Sequence, residues 1–375
     1  MIAAPACTWT RRLTVATLVS LAALMAPTLA TPSTAAAAPR LAFAMDGQVR
    51  VVDADGTDEH PVAWTGDGTR PLTWHYIAEP SWSPDGNRIA FGDSYGALYS
   101  PVSAELRIAR ADNKSDELVL TLPLAGVIQH VRWSPAGDKL AFVLWTPNPP
   151  VAVATWTWLG SRWDIYVVNV DGSGLRPLAP VHASMSTSFD FSPDGKQIAF
   201  VTDQEGVAGV FTIPVDAPAL PTRITPRDVS VEFPRWSPDG SRIAFIGNSL
   251  TPSELLDWPR LWTIKTDGTD LTPVDAWTYH PPTWSPDSRT LAFACANACG
   301  IGSIGIDGTR RRDLTSGLAR DNWPVWSRHG QIAFVREEGG PVCCTTTLWV
   351  MDADGSHPHR ASAAGSVTFA IAWSP

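Results

Sequence analysis

The sequence predicts an all-β fold: a seven-bladed propeller of four-stranded antiparallel blades, closed by pairing its N- and C-terminal strands. Three observations predict it. The phrase Trp-Ser-Pro-Asp-Gly, followed shortly by Ile-Ala-Phe, recurs from Trp82, Trp133, Phe191, Trp236, Trp284 and Trp326, and starts a seventh time at Trp373. The missing half of that last copy stands near the start, as Leu41-Ala42-Phe43. A second phrase, an apolar segment running into a polar turn, alternates with the first, as in Ile165-Tyr166-Val167-Val168-Asn169-Val170-Asp171-Gly172. Neighbouring copies lie about 40–60 residues apart, the range of propeller blades.

Each unit reads as four short strands. Strand A ends at the repeat aromatic. Ser-Pro-Asp-Gly then makes a tight turn, because Pro presets φ and Asp and Gly tolerate the positions that follow. Ile-Ala-Phe is strand B, the second phrase is strand C, and its turn leads to strand D, seen as residues 175–178. Period-2 alternation between frequent turn residues fits strands, and no amphipathic helix stands out. A lone blade cannot bury both faces of its sheet, so stacking around an axis lets each cover the next, with Trp and Phe filling the wedges. Residues from Arg40 onward supply strands B, C and D of one blade, and residues 367–373 supply its strand A, which hides otherwise exposed sheet edges.

Residues 1–38 read as a signal peptide and an Ala-rich linker, and residues 39–375 as one propeller domain. Arg11-Arg12 precede an apolar run over residues 13–25, and small residues follow, with Thr28-Leu29-Ala30 and residues 35–38 as cleavage candidates. The run is shorter than the roughly 20 residues that a span needs. Export by the general secretory route fits better than the twin-arginine route, and the mature chain is expected outside the cytoplasm, in the cell envelope or secreted. Charged residues make up only 17% and the net charge is −9. Arg310-Arg311-Arg312 sit in a predicted turn, so no basic patch for nucleic acid is expected. No second apolar run is long enough to span a membrane. Cys7 leaves with the signal, and Cys295, Cys299, Cys343 and Cys344 remain. Disulfides are the default for an even number in an exported chain, with three pairings open; a zinc site is the alternative.

Two motifs resemble catalytic signatures and lack their settings. Gly92-Asp93-Ser94-Tyr95-Gly96 has the spacing of a nucleophile elbow, but no helix follows it, and it reads as a loop after strand B. Gly300-Ile301-Gly302-Ser303-Ile304-Gly305 has dinucleotide spacing but falls on strand C. Asp85, Asp194, Asp239 and Asp287 recur at one position and read as turn formers. No residue is assigned a catalytic role.

The A–B and C–D turns share one end of the ring, so the irregular D–A and B–C loops share the other, where binding residues are expected. Glu79, His130, Glu232, His280 and Asp321 each precede a repeat aromatic by three to five residues and could converge at the channel mouth, with Tyr76 and Tyr279 nearby. Carboxylates and imidazoles there could bind a ligand or exchange protons; no cofactor is expected, a divalent metal at the channel being the alternative. Trp145, Trp156, Trp158 and Trp163 decorate a long B–C loop, and Trp64 and Trp74 follow the first unit. They could form an interaction surface or fold back onto the core.

The alternating phrases resemble the propeller repeats of TolB-type proteins, and also the propellers of the prolyl oligopeptidase group. The resemblance covers nearly all of the mature chain. It implies a periplasmic role with protein partners, and a six-bladed ring with a separate N-terminal domain, whereas seven units are counted here. Ala136, Ser288 and Arg328-His329 depart from the repeat. The expected function is a non-catalytic, monomeric, exported binding propeller for a protein or glycan of the cell envelope. The alternative is a lyase or hydrolase acting on a saccharide or small substrate at the channel mouth.

Overall fold

The computed structural model describes residues 38–64, 73–97, 100–112, 116–122, 126–146, 162–180, 188–217, 219–249, 259–296, 300–316, 320–338, 345–363, 365 and 367–375. These form seven four-stranded antiparallel sheets, with no helix among the described residues. In blade 2 the innermost strand is split into Thr73–Ile77 and Ser81–Trp82, both paired with Arg88–Ala97. Blade 1 is the composite that the sequence predicts: Val367–Trp373 pairs with Arg40–Met45, with Leu41 opposite Trp373 and Phe43 opposite Ile371. Arg40 N donates to Ser374 Oγ at 2.9 Å, and Ser374 N donates to Arg40 O at 2.7 Å.

The core is seven wedges, one between each pair of neighbouring blades. The Ile-Ala-Phe triplet explains them through strand alternation. In blade 2, Ile89 and Phe91 point into the wedge shared with blade 1, and Ala90 points into the wedge shared with blade 3. The same division holds for Ile198, Phe200 and Ala199, and for Ile243, Phe245 and Ala244. Two large side chains on one face meet a small one on the next blade. The seven repeat phenylalanines, from Phe43 to Phe334, are fully buried.

The repeated turns are held by their own side chains. In the A–B turn, Ser192 Oγ donates to Asp194 Oδ1 at 2.6 Å and accepts from Gln197 N at 2.9 Å, and Ser237 and Ser285 act alike. Where Ala136 replaces the aspartate, Ser134 turns to Asp138 at 2.8 Å. Hydrogen bonds from the serine hydroxyl lead in holding Asp85, Asp194 and Asp287 below the usual carboxylate range. Ser288 adopts φ 60°, where the corresponding Gly240 has φ 72°.

Neighbouring blades are also stitched near the axis by one of two hydrogen bonds, and the residue just before each repeat aromatic selects which. Where it has a side-chain acceptor, it takes the backbone N–H of the next aromatic: Ser81 Oγ from Trp133 at 3.1 Å, Asp190 Oδ2 from Trp236 at 2.9 Å, and Thr283 Oγ1 from Trp326 at 3.1 Å. Otherwise the next indole donates to its carbonyl: Trp82 to Ala372 at 3.0 Å, Trp284 to Arg235 at 3.0 Å, and Trp373 to Val325 at 2.9 Å. Among the described residues the indole nitrogens of Trp133, Trp236 and Trp326 are buried with no hydrogen-bond partner. At the remaining joint Arg132 precedes Phe191, and neither bond forms among the described residues. Replacing Trp82, Trp284 or Trp373 by Phe is expected to cost about 1 kcal/mol through the abandoned carbonyl. The same change at Trp133, Trp236 or Trp326 should be nearly neutral. Urea unfolding of the six variants separates the groups, and equal losses in both would refute the distinction.

Candidate functional site

The inner strands leave a cavity of about 300 Å³ on the axis. Its wall has two unlike arcs. One carries Glu79, Arg132 and Arg235, from blades 2, 3 and 5; the other is Pro281, Pro282, Trp323, Pro324, Val325 and Ile371, from blades 6, 7 and 1. Strand alternation puts the residue before each repeat aromatic on the opposite face of its strand, and six of these seven residues, Ser81, Arg132, Arg235, Thr283, Val325 and Ala372, line the cavity. A local irregularity adds the residue three before it. Inner-strand register slips opposite Ala141/Val143, at Glu232/Arg235 and at Asn322/Val325. There His130, Phe233 and Trp323 take φ of 49°, 54° and 56°. Positive φ is uncommon for such residues and persists where surrounding structure enforces it, as in a bulge.

The charged arc is centred on Glu79, which meets Arg132 and His130, with Arg235 and Asp190 near by. Glu79 Oε2 accepts from Arg132 Nη2 at 2.6 Å, and Glu79 Oε1 lies 3.3 Å from His130 Nδ1. Burial pushes the Glu79 carboxyl upward, but the charges of Arg132 and His130 outweigh it and hold the group well below the usual glutamate range. Asp190 is raised by its own burial, against the pull of Arg235 and of the Trp236 N–H. Arg235 is lowered by burial, with Asp190 opposing and Arg132 adding to the shift. Tyr76, 39% exposed, has its hydroxyl pushed up to about 12 by packing around that group and by the charge of Glu79.

Because Glu79 is depressed in the folded state, its stabilisation is present above the ordinary glutamate range and is lost as pH falls toward its own lower value. Glu79→Gln should therefore lose about 1.5–3 kcal/mol at pH 7, the worth of a charged hydrogen bond. The gap to wild type should begin to narrow below about pH 4. Urea unfolding across pH 3–7 tests this, and a gap independent of pH would contradict it.

The five residues expected at the mouth have different fates. Glu79 and His130 meet. His280 lies against Trp323, ring centroids 5.0 Å apart, and burial lowers its pKa. Glu232 is exposed. Asp321 is buried and held in a fork by Arg336, with Nε to Oδ1 at 2.6 Å and Nη2 to Oδ2 at 2.8 Å. Among the described residues, no three of His, Cys, Asp and Glu gather as a metal would require. Arg132, Asp190 and Arg235 were not singled out from the sequence, although each directly precedes a repeat aromatic.

Trp145 and Trp163 do not form a surface: they pack 6.3 Å apart within the wedge between blades 3 and 4. Trp74 lies on Thr73–Ile77 opposite Gly96, and its side chain, like that of Trp64, is not among those described. Trp156, Trp158, Cys299, Cys343 and Cys344 lie outside the described residues, whereas half-buried Cys295 is described. The elbow-like segment is a correction to the loop reading, because it continues strand Arg88–Ala97. Ser94 is buried and its Oγ accepts from Ile128 N at 2.9 Å, and a Cβ on Gly92 would meet Ile128 at 2.4 Å. Gly300 precedes and Gly302 and Gly305 lie on strand Ile301–Gly305. Among the described residues no helix is long and apolar enough to cross a membrane.

Fold and site define a closed β-propeller with a two-sided axial channel. A family model described as the TolB beta propeller domain matches residues 40–258, and the chain belongs to that family. An uncharacterized protein of Agrobacterium fabrum is 25% identical over 57% of this chain and 83% of its own length. Among solved structures, TolB from Acinetobacter baumannii aligns with a TM-score of 0.53 at 16% identity, over 90% of this chain and 66% of its own. The acylaminoacyl peptidase of Pyrococcus horikoshii aligns at 0.58 and 13% identity, over 84% of this chain and 48% of its own. An oligogalacturonate lyase in complex with manganese aligns at 0.53 and 10% identity, over 83% and 95%. At these identities the likeness is one of fold, and the chain spans just under two thirds of TolB and about half of the peptidase.

Proposed function

We propose that this protein is an exported binding propeller that offers its channel and the loop face around it to a protein or glycan of the cell envelope. The observation that carries this reading is the axial cavity, where a charged arc faces an apolar one. Ligand sites combine an apolar wall with a few placed polar groups in this way. Family membership supports the binding role, and the paired Arg11-Arg12 with the apolar run after them support export with loss of residues 1–38. Outside the cytoplasm, Cys295, Cys299, Cys343 and Cys344 pair as disulfides that pin neighbouring B–C loops. Trp156 and Trp158 add to the contact surface, and the protein acts as a monomer.

Site-specific photocrosslinking tests the reading. A benzoylphenylalanine at Tyr279, 47% exposed near the mouth, should capture a discrete envelope partner, while one at Leu220, 88% exposed, should not. Trp156→Ala with Trp158→Ala should weaken the capture. Equal capture from both positions would sink the reading. A second reading, a lyase or hydrolase acting on a saccharide or small substrate, draws on the Glu79–His130 contact. It requires that His130→Ala abolish turnover. Against it, a carboxylate held ionised by an arginine is a weak proton acceptor, since efficient general bases titrate near the working pH.

A further inference from the structure

We propose that the axial cavity is a carboxylate site, in which Arg235 takes the anion and the proline–tryptophan wall opposite takes an apolar side chain on the same residue. The ligand class is an apolar amino acid with a free carboxylate, as at the C-terminus of a peptide. This deepens the channel-binding reading and rests on it.

Donor accounting is the first support. A guanidinium offers five N–H groups. Among the described residues Arg235 spends one, from Nη1 to Pro234 O at 3.0 Å, and meets no carboxylate within 4.0 Å. The nearest carboxylates are Glu79 and Asp190, which act on Arg235 from beyond hydrogen-bond reach. Glu79 is bound by Arg132 and His130, and Asp190 Oδ2 accepts the Trp236 N–H. Arg235 is thus a cation on the cavity wall, set close to a second cation, Arg132, that already has its counter-charge. A planar fork of this kind matches a carboxylate through two parallel hydrogen bonds.

The opposite wall limits what carries the carboxylate. Pro281, Pro282 and Pro324 have no N–H, and Trp323 and Ile371 add apolar surface. That wall suits a hydrocarbon or aromatic group. The volume, about 300 Å³, lies at the small end of ligand sites and suits one terminal residue better than a folded segment. A chain end joins a carboxylate to a side chain within that space. A free acylated amino acid has the same chemistry.

Calorimetry on the full chain separates these cases. The probes are acetyl-Ala-Ala-X peptides, with X as Leu, Phe or Trp, as free acids and as amides, and the acetylated X acids alone. The free-acid peptides are expected to bind at least tenfold more tightly than the amides. Arg235→Gln should erase that preference, and Arg235→Lys should keep part of it. Tighter binding of the peptides than of the acetylated amino acids assigns the site to chain ends; equal binding assigns it to small acids with the carboxylate chemistry intact. Acids and amides binding alike, or a preference that survives Arg235→Gln, would overturn the proposal. If Ile371→Trp still abolished that binding, the channel reading would stand without it. Failure of every probe to bind also overturns the proposal, and Tyr279 crosslinking then judges the channel reading separately.

Discussion

A chain shortened to end at Ser362 is expected not to fold. It lacks Val367–Trp373, the strand that pairs with Arg40–Met45 and closes blade 1. Leu41, Phe43 and Met45 would lose cover in the wedge between blades 7 and 1, and Val367 would be gone. Each large apolar side chain returned to water costs about 1.5–3 kcal/mol. The loss of the Trp373 stitch to Val325 adds about 1 kcal/mol more. The sum approaches the whole stability of an ordinary domain, about 5–15 kcal/mol. The strand Arg40–Met45 would also become an open edge that invites aggregation. Size-exclusion chromatography and thermal melting by circular dichroism test this. A monomer that still melts cooperatively would show that closure is dispensable.

Arg336→Leu is the second change with a large expected effect. Asp321 is 4% exposed, and both of its oxygens are bound by Arg336. Removing the guanidinium strands a buried carboxylate, and breaking such a pair from one side costs about 3–5 kcal/mol. Replacing both partners, Asp321→Leu with Arg336→Leu, should cost less than Arg336→Leu alone, because no charge is left behind. Urea unfolding of both single variants and the double variant completes the cycle. A loss under about 1 kcal/mol for Arg336→Leu would show that Asp321 finds water or another partner.

The fold was legible because it is written seven times. One tight turn, one Ile-Ala-Phe triplet and one split copy suffice to predict blades, wedges and closure, and Leu41 does face Trp373. The site was only half legible. Glu79 and His130 meet, but distance from the repeat aromatic gives no sign of the fork that buries Asp321 or of the exposure of Glu232. Simple alternation breaks where His130, Phe233 and Trp323 adopt positive φ, and none is a glycine that would mark the bulge in advance. The readable signal lay one residue before the aromatic, where Ser81, Arg132, Asp190, Arg235, Thr283, Val325 and Ala372 form a column. Its two arginines are the members that carry a fixed positive charge, and both line the cavity.

That column also makes the seams between blades unequal. Between the third and fourth, Arg132 and Phe191 supply neither kind of stitch near the axis, and union there rests on an aromatic-rich wedge that includes Trp145, Trp163, Phe189, Phe200 and Phe211, with the bond from Arg176 to Val215 O and the Lys139–Asp216 pair beside it. Apolar attraction fades as water cools, and each of the other six seams adds a stitch to its wedge. Chilling should thus loosen the circle at this seam before the others.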